Sequence, residues 1–383
     1  MHIQHLSLTN FRNYEHLEFD VPSHLTVLQG DNAQGKTNLL EAIYLLATAK
    51  SHRATTEREL LNWSAPKQGL EVARIVAQIQ KARGNIQVEL ALMGAYPRDE
   101  KASPAPESFE ARLVQKRIKI NGINRRAIDL IGQVNAVLFG SQDIDLIAGA
   151  PSIRRRYLDL TNSQVNSRYL RALQQYNKVI TQRNHLLRLI GEHRAQWDQL
   201  DFWDQQLMEH GSYIIDARQL MVAELEGLAQ PIHQLLTAGR ESLRITYLPS
   251  VSATEFPDRL RHVREREIAQ GMSVVGPHRD NLSFLVDDVD MNIYGSRGQQ
   301  RTIAVSLRLA EARFMNSKTG DAPILLLDDV LSELDLTRRQ HLLDFVTSQQ
   351  QIIITTTDID CLTPAFLAEA SLFQVKKGVL TPI

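Results

Sequence analysis

The sharpest chemical signal in the chain is Gly30-Asp31-Asn32-Ala33-Gln34-Gly35-Lys36-Thr37, two glycines closing on a lysine and a hydroxyl residue. This is the Walker A pattern. The glycines let the backbone curl so that successive N–H groups and the following helix N-terminus face phosphate oxygens. Lys36 adds positive charge, and Thr37 adds a hydroxyl for a magnesium ion. Every part answers a polyanion, so Gly30 through Thr37 are the expected nucleotide-binding residues, with ATP and Mg2+ as the ligand pair. A hydrolysing site also needs carboxylates, and Ile324-Leu325-Leu326-Leu327-Asp328-Asp329 sets two at the end of an apolar run. Read alone, that pair serves equally well to cap the next helix. Beside a Walker A loop it reads as Walker B, with Asp328 organising magnesium.

These residues need a scaffold, and the periodicity supplies one. Ile3–Leu8, Glu15–Val21 and Leu25–Leu28 read as strands, the last feeding the Gly-bounded loop and an apolar helix from Lys36 to about Thr48. Glu71–Gln80 and Ile86–Met93 read as a hairpin turned at Arg83-Gly84-Asn85, and Pro97–Ser108 as a mobile surface loop. Phe109–Ile120 and Ile123–Ala127 pair across Asn121-Gly122, a strong hairpin signal. The strand Val134–Phe139 follows. From Pro151 to about Gly239 long helices take over, then short strands return at Leu243–Tyr247 and Leu282–Val286. A helix opens near Arg297. Ile324–Leu327, a helix from about Leu336, Gln351–Thr355 and a hairpin around Gly378 complete an α/β pattern. The expected organisation is a head made of residues 1–150 and 241–383, interrupted by a helical insertion at 151–240.

Composition excludes several classes. Hydrophobic residues make up 43% and charged residues 23% of 383 positions, ordinary values for a folded chain. A net charge of −1 gives no global pull towards nucleic acid, so any such binding must come from local clustering. The single cysteine, Cys361, excludes an intrachain disulfide and a Cys-rich zinc site, and reads as a small core hydrophobe. Met1–Asn10 alternates like a strand and lacks the pattern of a secretory signal, and no apolar run reaches membrane-spanning length. The expectation is a cytoplasmic protein.

One helix concentrates charge. Between Pro151 and Arg194, Arg154, Arg155, Arg156, Arg168, Arg171, Lys178, Arg183, Arg188 and Arg194 face only Asp159 and Glu192. Arg168, Arg171, Gln175, Lys178 and Gln182 share one helical face; Tyr169, Leu173, Tyr176, Ile180 and Leu187 share the opposite one. Such a stripe can neutralise phosphates without base readout, which makes Arg168, Arg171 and Lys178 DNA-binding candidates; a merely solvated face gives the same pattern.

Further motifs carry a resemblance. Ser296-Arg297-Gly298-Gln299, opening a helix, is similar to the ABC signature, although a plain N-capped helix has the same residues. Ser332-Glu333-Leu334-Asp335 resembles a D-loop. Together with Asn10-Phe11-Arg12-Asn13-Tyr14, Gly149 through Asp159 and Gly276-Pro277-His278-Arg279-Asp280, these strings resemble the RecF family of ABC/SMC-type ATPases over nearly the whole chain. The resemblance implies an α/β P-loop ATPase head with an inserted helical domain, a short arm in place of the SMC coiled coil. It implies that Asp329 is the general base, in place of the usual glutamate, beside Lys36, and that Arg12 lies near the nucleotide phosphates. The signature and Asp335 then act in trans, in an ATP-dependent homodimer. Gln142 stands at the place of a magnesium-contacting glutamine, whereas RecF sequences more often read Pro-Glu at Ser141-Gln142. His278 and Arg279 face nucleotide or a dimer partner, or serve only structure. Thr357 replaces the switch histidine of transporters. For function, the resemblance implies a nucleoid-associated protein that binds gapped DNA or single-strand/double-strand junctions, hydrolyses ATP slowly under DNA stimulation, and acts with RecR and RecO to load RecA. The competing reading is the energy-coupling subunit of an ABC transporter.

Overall fold

A computed structural model describes residues 1–63, 71–94, 114–346 and 350–383. The expected loop Pro97–Ser108 and the start of the strand from Phe109 lie outside them. Along the chain, β1 (His2–Phe11), β2 (Tyr14–Asp20) and β3 (Leu25–Gln29) lead into α1 (Lys36–Thr48). Next come β4 (Glu71–Lys81), β5 (Gly84–Gly94), β6 (Val114–Ile120), β7 (Ile123–Arg125), α2 (Ala127–Leu130), β8 (Ala136–Phe139) and α3 (Ile144–Ala148). The helices α4 (Pro151–Val165), α5 (Ser167–Gly191) and α6 (Leu200–Leu236) precede β9 (Leu243–Leu248), α7 (Phe256–Gln270), β10 (Asn281–Val286) and β11 (Val289–Asp290). The chain ends with α8 (Arg297–Thr319), β12 (Ile324–Asp328), α9 (Leu336–Val346), β13 (Ile352–Thr356), α10 (Pro364–Ala368), β14 (Ser371–Lys376) and β15 (Val379–Pro382).

Two compact units result, one from Met1–Ser141 with Met315–Ile383 and one from Gln142–Phe314. The first holds an antiparallel sheet, β2-β1-β4-β5-β6-β7, and a second sheet, β15-β14-β3-β13-β12-β8, parallel except for its edge hairpin. Helix α1 is buried nearly all round, and its Leu40 and Ile43 share one core with Leu6 and Ile75 of the first sheet and Leu326 and Ile353 of the second. A helix apolar on every side must be enclosed in this way, each leucine contributing about 1.5–3 kcal/mol. The central strands are buried on both faces, as the unbroken apolar runs require. At Asn121-Gly122 both residues have positive φ (50° and 78°), the left-handed pair of a type I′ turn. The earlier hairpin turns one step sooner than expected: Lys81 pairs with Gly84, leaving Ala82-Arg83 as the loop.

The second unit packs α4, α5, α6 and α7 with the small sheet β11-β10-β9. It therefore reaches beyond 151–240, because β9 and β10 pair with each other and β9 lies along α6. Helix α7 was not anticipated in the sequence.

Candidate nucleotide site

The Walker A loop joins β3 to α1 and is held from behind. Asn13 Nδ2 donates to Gln34 O (2.9 Å), Tyr14 O–H donates to Gly35 O (3.0 Å), and Gly378 N–H donates to Gln34 O (3.0 Å). A Cβ on Gly30 would stand 2.4 Å from Val375 O, so only glycine lets the loop start this close to β14. Lys36 Nζ folds back onto the carbonyls of Gly30 (2.5 Å) and Asp31 (2.9 Å). Burial lowers its pKa, opposed by the carboxylates of Asp329, Asp328 and Asp31.

The carboxylates arrive from β12, whose parallel pairing with β13 sets Asp328 opposite Thr355. Asp328 Oδ1 accepts from Thr37 Oγ1 and from Thr355 Oγ1, each at 2.8 Å. Walker A and Walker B thus meet through a direct bond between residues 291 positions apart. Asp329 follows with φ 53°, its N–H donating to Thr355 Oγ1 (3.0 Å). Its Oδ1 is buried without a hydrogen-bond partner, and burial raises its pKa, opposed chiefly by Lys36. A carboxylate so placed favours holding a proton more than an exposed one does.

A cleft of about 520 Å³ opens over these groups, lined by Asn32 through Asn38, Asp328 and Asp329, with Arg12, Arg53, Trp63 and Ser141. Thr37 and Asp328 are hard donors that fit a magnesium ion, which takes one or two carboxylates and fills its shell with phosphate and water.

Arg12 has partners on α1 besides its place at the cleft. It lines the cleft, but its guanidinium is engaged by Glu41 on α1, Nε to Oε2 at 2.9 Å and NH2 to Oε1 at 2.8 Å, while NH1 donates to Glu59 O. Glu41 is fully buried; burial pushes its pKa up, but the bonds from Arg12 and Ser51 outweigh this and hold it below the ordinary value. Arg12 therefore ties the strand end to α1, and the basic group without such a clamp is Arg53, bonded only weakly to Asn38 Oδ1 at 3.3 Å. Asn13, Tyr14, Thr355, Arg53 and Trp63 were not assigned roles from sequence. Asn13 and Tyr14 do lie inside the Asn10–Tyr14 string.

The remaining candidates fall elsewhere. Ser296 Oγ accepts from Gln299 N–H (3.3 Å) and donates to Gln299 Oε1 (3.1 Å), so the signature segment caps α8 while Ser296, Arg297 and Gly298 stay exposed. Asp335 caps α9, accepting from Arg338 N–H at 2.9 Å. Gln142 is exposed in the short turn Ser141–Asp143. Arg168, Arg171 and Lys178 are exposed on α5, whereas Arg154 and Arg183 are buried and leave the basic surface. Cys361 is no core residue: it is half-exposed in the turn Ile359–Cys361, its thiol donating to Asp358 O (2.9 Å).

The Gly276–Asp280 string frames the second unit, buried at Gly276, Pro277 and Asp280, while Arg279 is exposed and donates to Ser273 O (2.9 Å). His278 Nδ1 accepts from Tyr176 O–H (2.7 Å) and Nε2–H donates to Ser273 O (3.1 Å). Burial depresses its pKa to about 4 from 6.5. As pH falls below 6.5 the unfolded chain takes up this proton first, so the folded state loses stability down to about pH 4. The span corresponds to about 3 kcal/mol. Urea midpoints measured from pH 7.5 to 4.5 should fall less steeply for His278→Gln than for the wild type.

The chain matches the RecF/RecN/SMC N terminal domain family over residues 2–381. The DNA replication and repair protein RecF of Herpetosiphon aurantiacus is 43% identical, with both chains covered in full. That of Halalkalibacterium halodurans is 41% identical over 99% of each chain. The chain belongs to the RecF family. Among solved structures, the ATP complex of the recombination mediator protein RecF in the RecFOR pathway superposes with TM-score 0.85 at 29% identity, covering 100% of this chain and 97% of that one. The Smc head domain of Pyrococcus furiosus has TM-score 0.56 at 14% identity, over 100% and 96% of the two chains, a likeness of fold alone. Asn13 and Tyr14 of the first string brace the loop, and Pro277 and Asp280 of the second are bonded within the helical unit. RecF membership leaves the transporter reading without support. No helix among the described residues is long and apolar enough to cross a membrane.

Proposed function

We propose that this protein is an ATP-switched clamp on DNA, acting at gaps and single-strand/double-strand junctions and helping RecR and RecO load RecA, as a cytoplasmic, nucleoid-associated component of repair. The observation that carries the nucleotide part is the Thr37–Asp328 bond inside one cleft with Lys36 and Asp329. Gly30 through Thr37 cradle the phosphates; Thr37 and Asp328 would hold magnesium; Asp329 takes the proton of the attacking water. Magnesium supplies charge neutralisation at the transferring phosphoryl group. Arg12 and Arg53, both lining the cleft, are the further basic groups offered to the phosphates.

The exposed signature Ser296–Gln299 and the D-loop Asp335 are set to close over a second copy's nucleotide. One chain carries one of each, so complete sites need a dimer, and ATP favours that state because it binds it better. The DNA part rests on α5, with Arg168, Arg171 and Lys178 exposed along one face.

Binding to gapped duplex with ATP or ADP, across a salt series and with molecular mass recorded, tests the reading. Expected are ATP-dependent dimers that bind DNA with strong salt sensitivity. Each of Arg168→Ala, Arg171→Ala and Lys178→Ala should lower the slope of log affinity against log salt by about one. If neither mass nor DNA affinity responds to ATP, the clamp reading fails.

A further inference from the structure

Helices α5 and α6 flank an open groove of about 720 Å³ that shares Gln175, Lys178 and Gln182 with the basic stripe. Gln174, Gln175, Lys178, Gln182 and Gln206 are among its lining residues, and one wall is the aromatic pair Phe202–Trp203, edge to face with centroids 5.1 Å apart. Phe202 is 61% exposed, so its ring is accessible to a stacking partner. We propose that this groove is a nucleobase site, in which unpaired bases of a single strand stack on Phe202 and are bonded by the glutamine amides while Lys178 meets the adjacent phosphate.

Charge and lining chemistry select that occupant over a peptide. Helix α5 runs for 25 residues without one carboxylate, and of its five lysine and arginine residues only Arg183 is buried. Asp201 and Asp204, near the aromatic wall in sequence, are neutralised by Arg264, and Asp204 also by Arg183. A helix-binding groove would be lined chiefly by apolar side chains. Here half of the lining residues carry amides, groups that pair with base edges, beside a ring that stacks on any base. Elsewhere on α5 Arg168 lies over the Tyr213 ring of α6, 4.3 Å from its centroid, a second place where a basic group stands beside an aromatic ring. The proposal rests on the DNA-clamp reading and adds to it the means by which a gap is told from intact duplex.

The test uses the full chain with ATP and three probes: blunt duplex, duplex with an oligo-dT gap, and the same gap built from abasic residues, which keeps the phosphates and removes the bases. The wild type should prefer the oligo-dT gap to the abasic gap about tenfold, the effect of one stacked base. Phe202→Ala should erase that preference while its affinity for blunt duplex stays at the wild-type level. In a Trp63→Phe, Trp197→Phe background, Trp203 emission should be quenched by oligo-dT and not by the abasic strand. Equal wild-type affinity for the two gaps, or a preference that survives Phe202→Ala, overturns the nucleobase site and leaves the groove to a protein partner. Loss of binding to all three probes by the wild type overturns the DNA reading itself.

Discussion

The Asp329→Asn variant is expected to bind ATP as the wild type does and to turn it over about 100- to 10,000-fold more slowly, the usual contribution of a positioned general base. The substitution changes little else. The backbone of Asp329 is set by its bond to Thr355 Oγ1 and by the end of β12, neither of which involves the carboxylate. What changes is Oδ1, the buried oxygen without a partner, which in asparagine can no longer accept a proton. Burial already shifts this carboxyl towards proton uptake, in the direction a base working near neutral pH requires. Because hydrolysis would release the dimer, the variant should accumulate as an ATP-bound dimer, visible by light scattering as a species that outlives the wild-type one. Phosphate release at the wild-type rate would remove Asp329 from the mechanism. Lys36→Ala gives the contrasting outcome, loss of ATP binding and with it of any dimer, since Lys36 holds the mouth of the loop through the Gly30 and Asp31 carbonyls and carries the charge that meets the phosphates.

The parts of the site that were legible before the structure are those in which chemistry and local geometry coincide. The Walker A loop is contiguous, and the apolar run behind it reproduces the bounds Lys36–Thr48 of α1 because a helix enclosed on all sides leaves no polar face to blur them. The Asn121-Gly122 turn needs two positive φ values and uses the residues that tolerate them. Partnerships across long sequence distance were not legible. Nothing near Arg12 in the chain says that Glu41 will occupy its guanidinium, and nothing near Asp328 points to Thr355. Helix α7 escaped because its buried face is marked by Phe256, Leu260 and Val263 and then by a carboxylate, Glu267, which the buried Arg183 and the Val274 N–H make tolerable there. Arg183 shows the two sides of periodicity: its spacing of seven from Tyr176 puts it on the buried face, yet its partners Asp204 and Glu267 belong to other helices.

Arg218→Met should destabilise the folded chain by about 3–5 kcal/mol, the cost of removing one partner from a buried ion-pair network. Arg218 is 2% exposed and holds four groups at once: Asp280 Oδ2 (3.0 Å), Asp159 Oδ1 (2.8 Å), Pro277 O (2.6 Å) and Tyr169 O–H (3.0 Å). These belong to α4, α5 and the loop before β10, so one guanidinium cross-links most of the helical unit. Methionine fills the same volume and leaves the Asp159 and Asp280 carboxylates without their cation. Asp280 is fully buried and keeps only the Tyr247 hydroxyl and the Ser250 N–H. Adding Asp280→Asn to Arg218→Met should therefore recover part of the loss, a non-additivity that a simple cavity would not produce. Urea unfolding of the full chain measures both. The network also places the basic stripe, since Tyr169, bonded to Arg218 and Asp159, is the neighbour of Arg168 on α5. Arg218→Met should accordingly weaken DNA binding even under conditions where the variant is folded, although Arg218 has no access to solvent and cannot touch a phosphate. A variant that unfolds at the wild-type urea concentration would show instead that the Gly276–Asp280 string is held by something other than its buried charges.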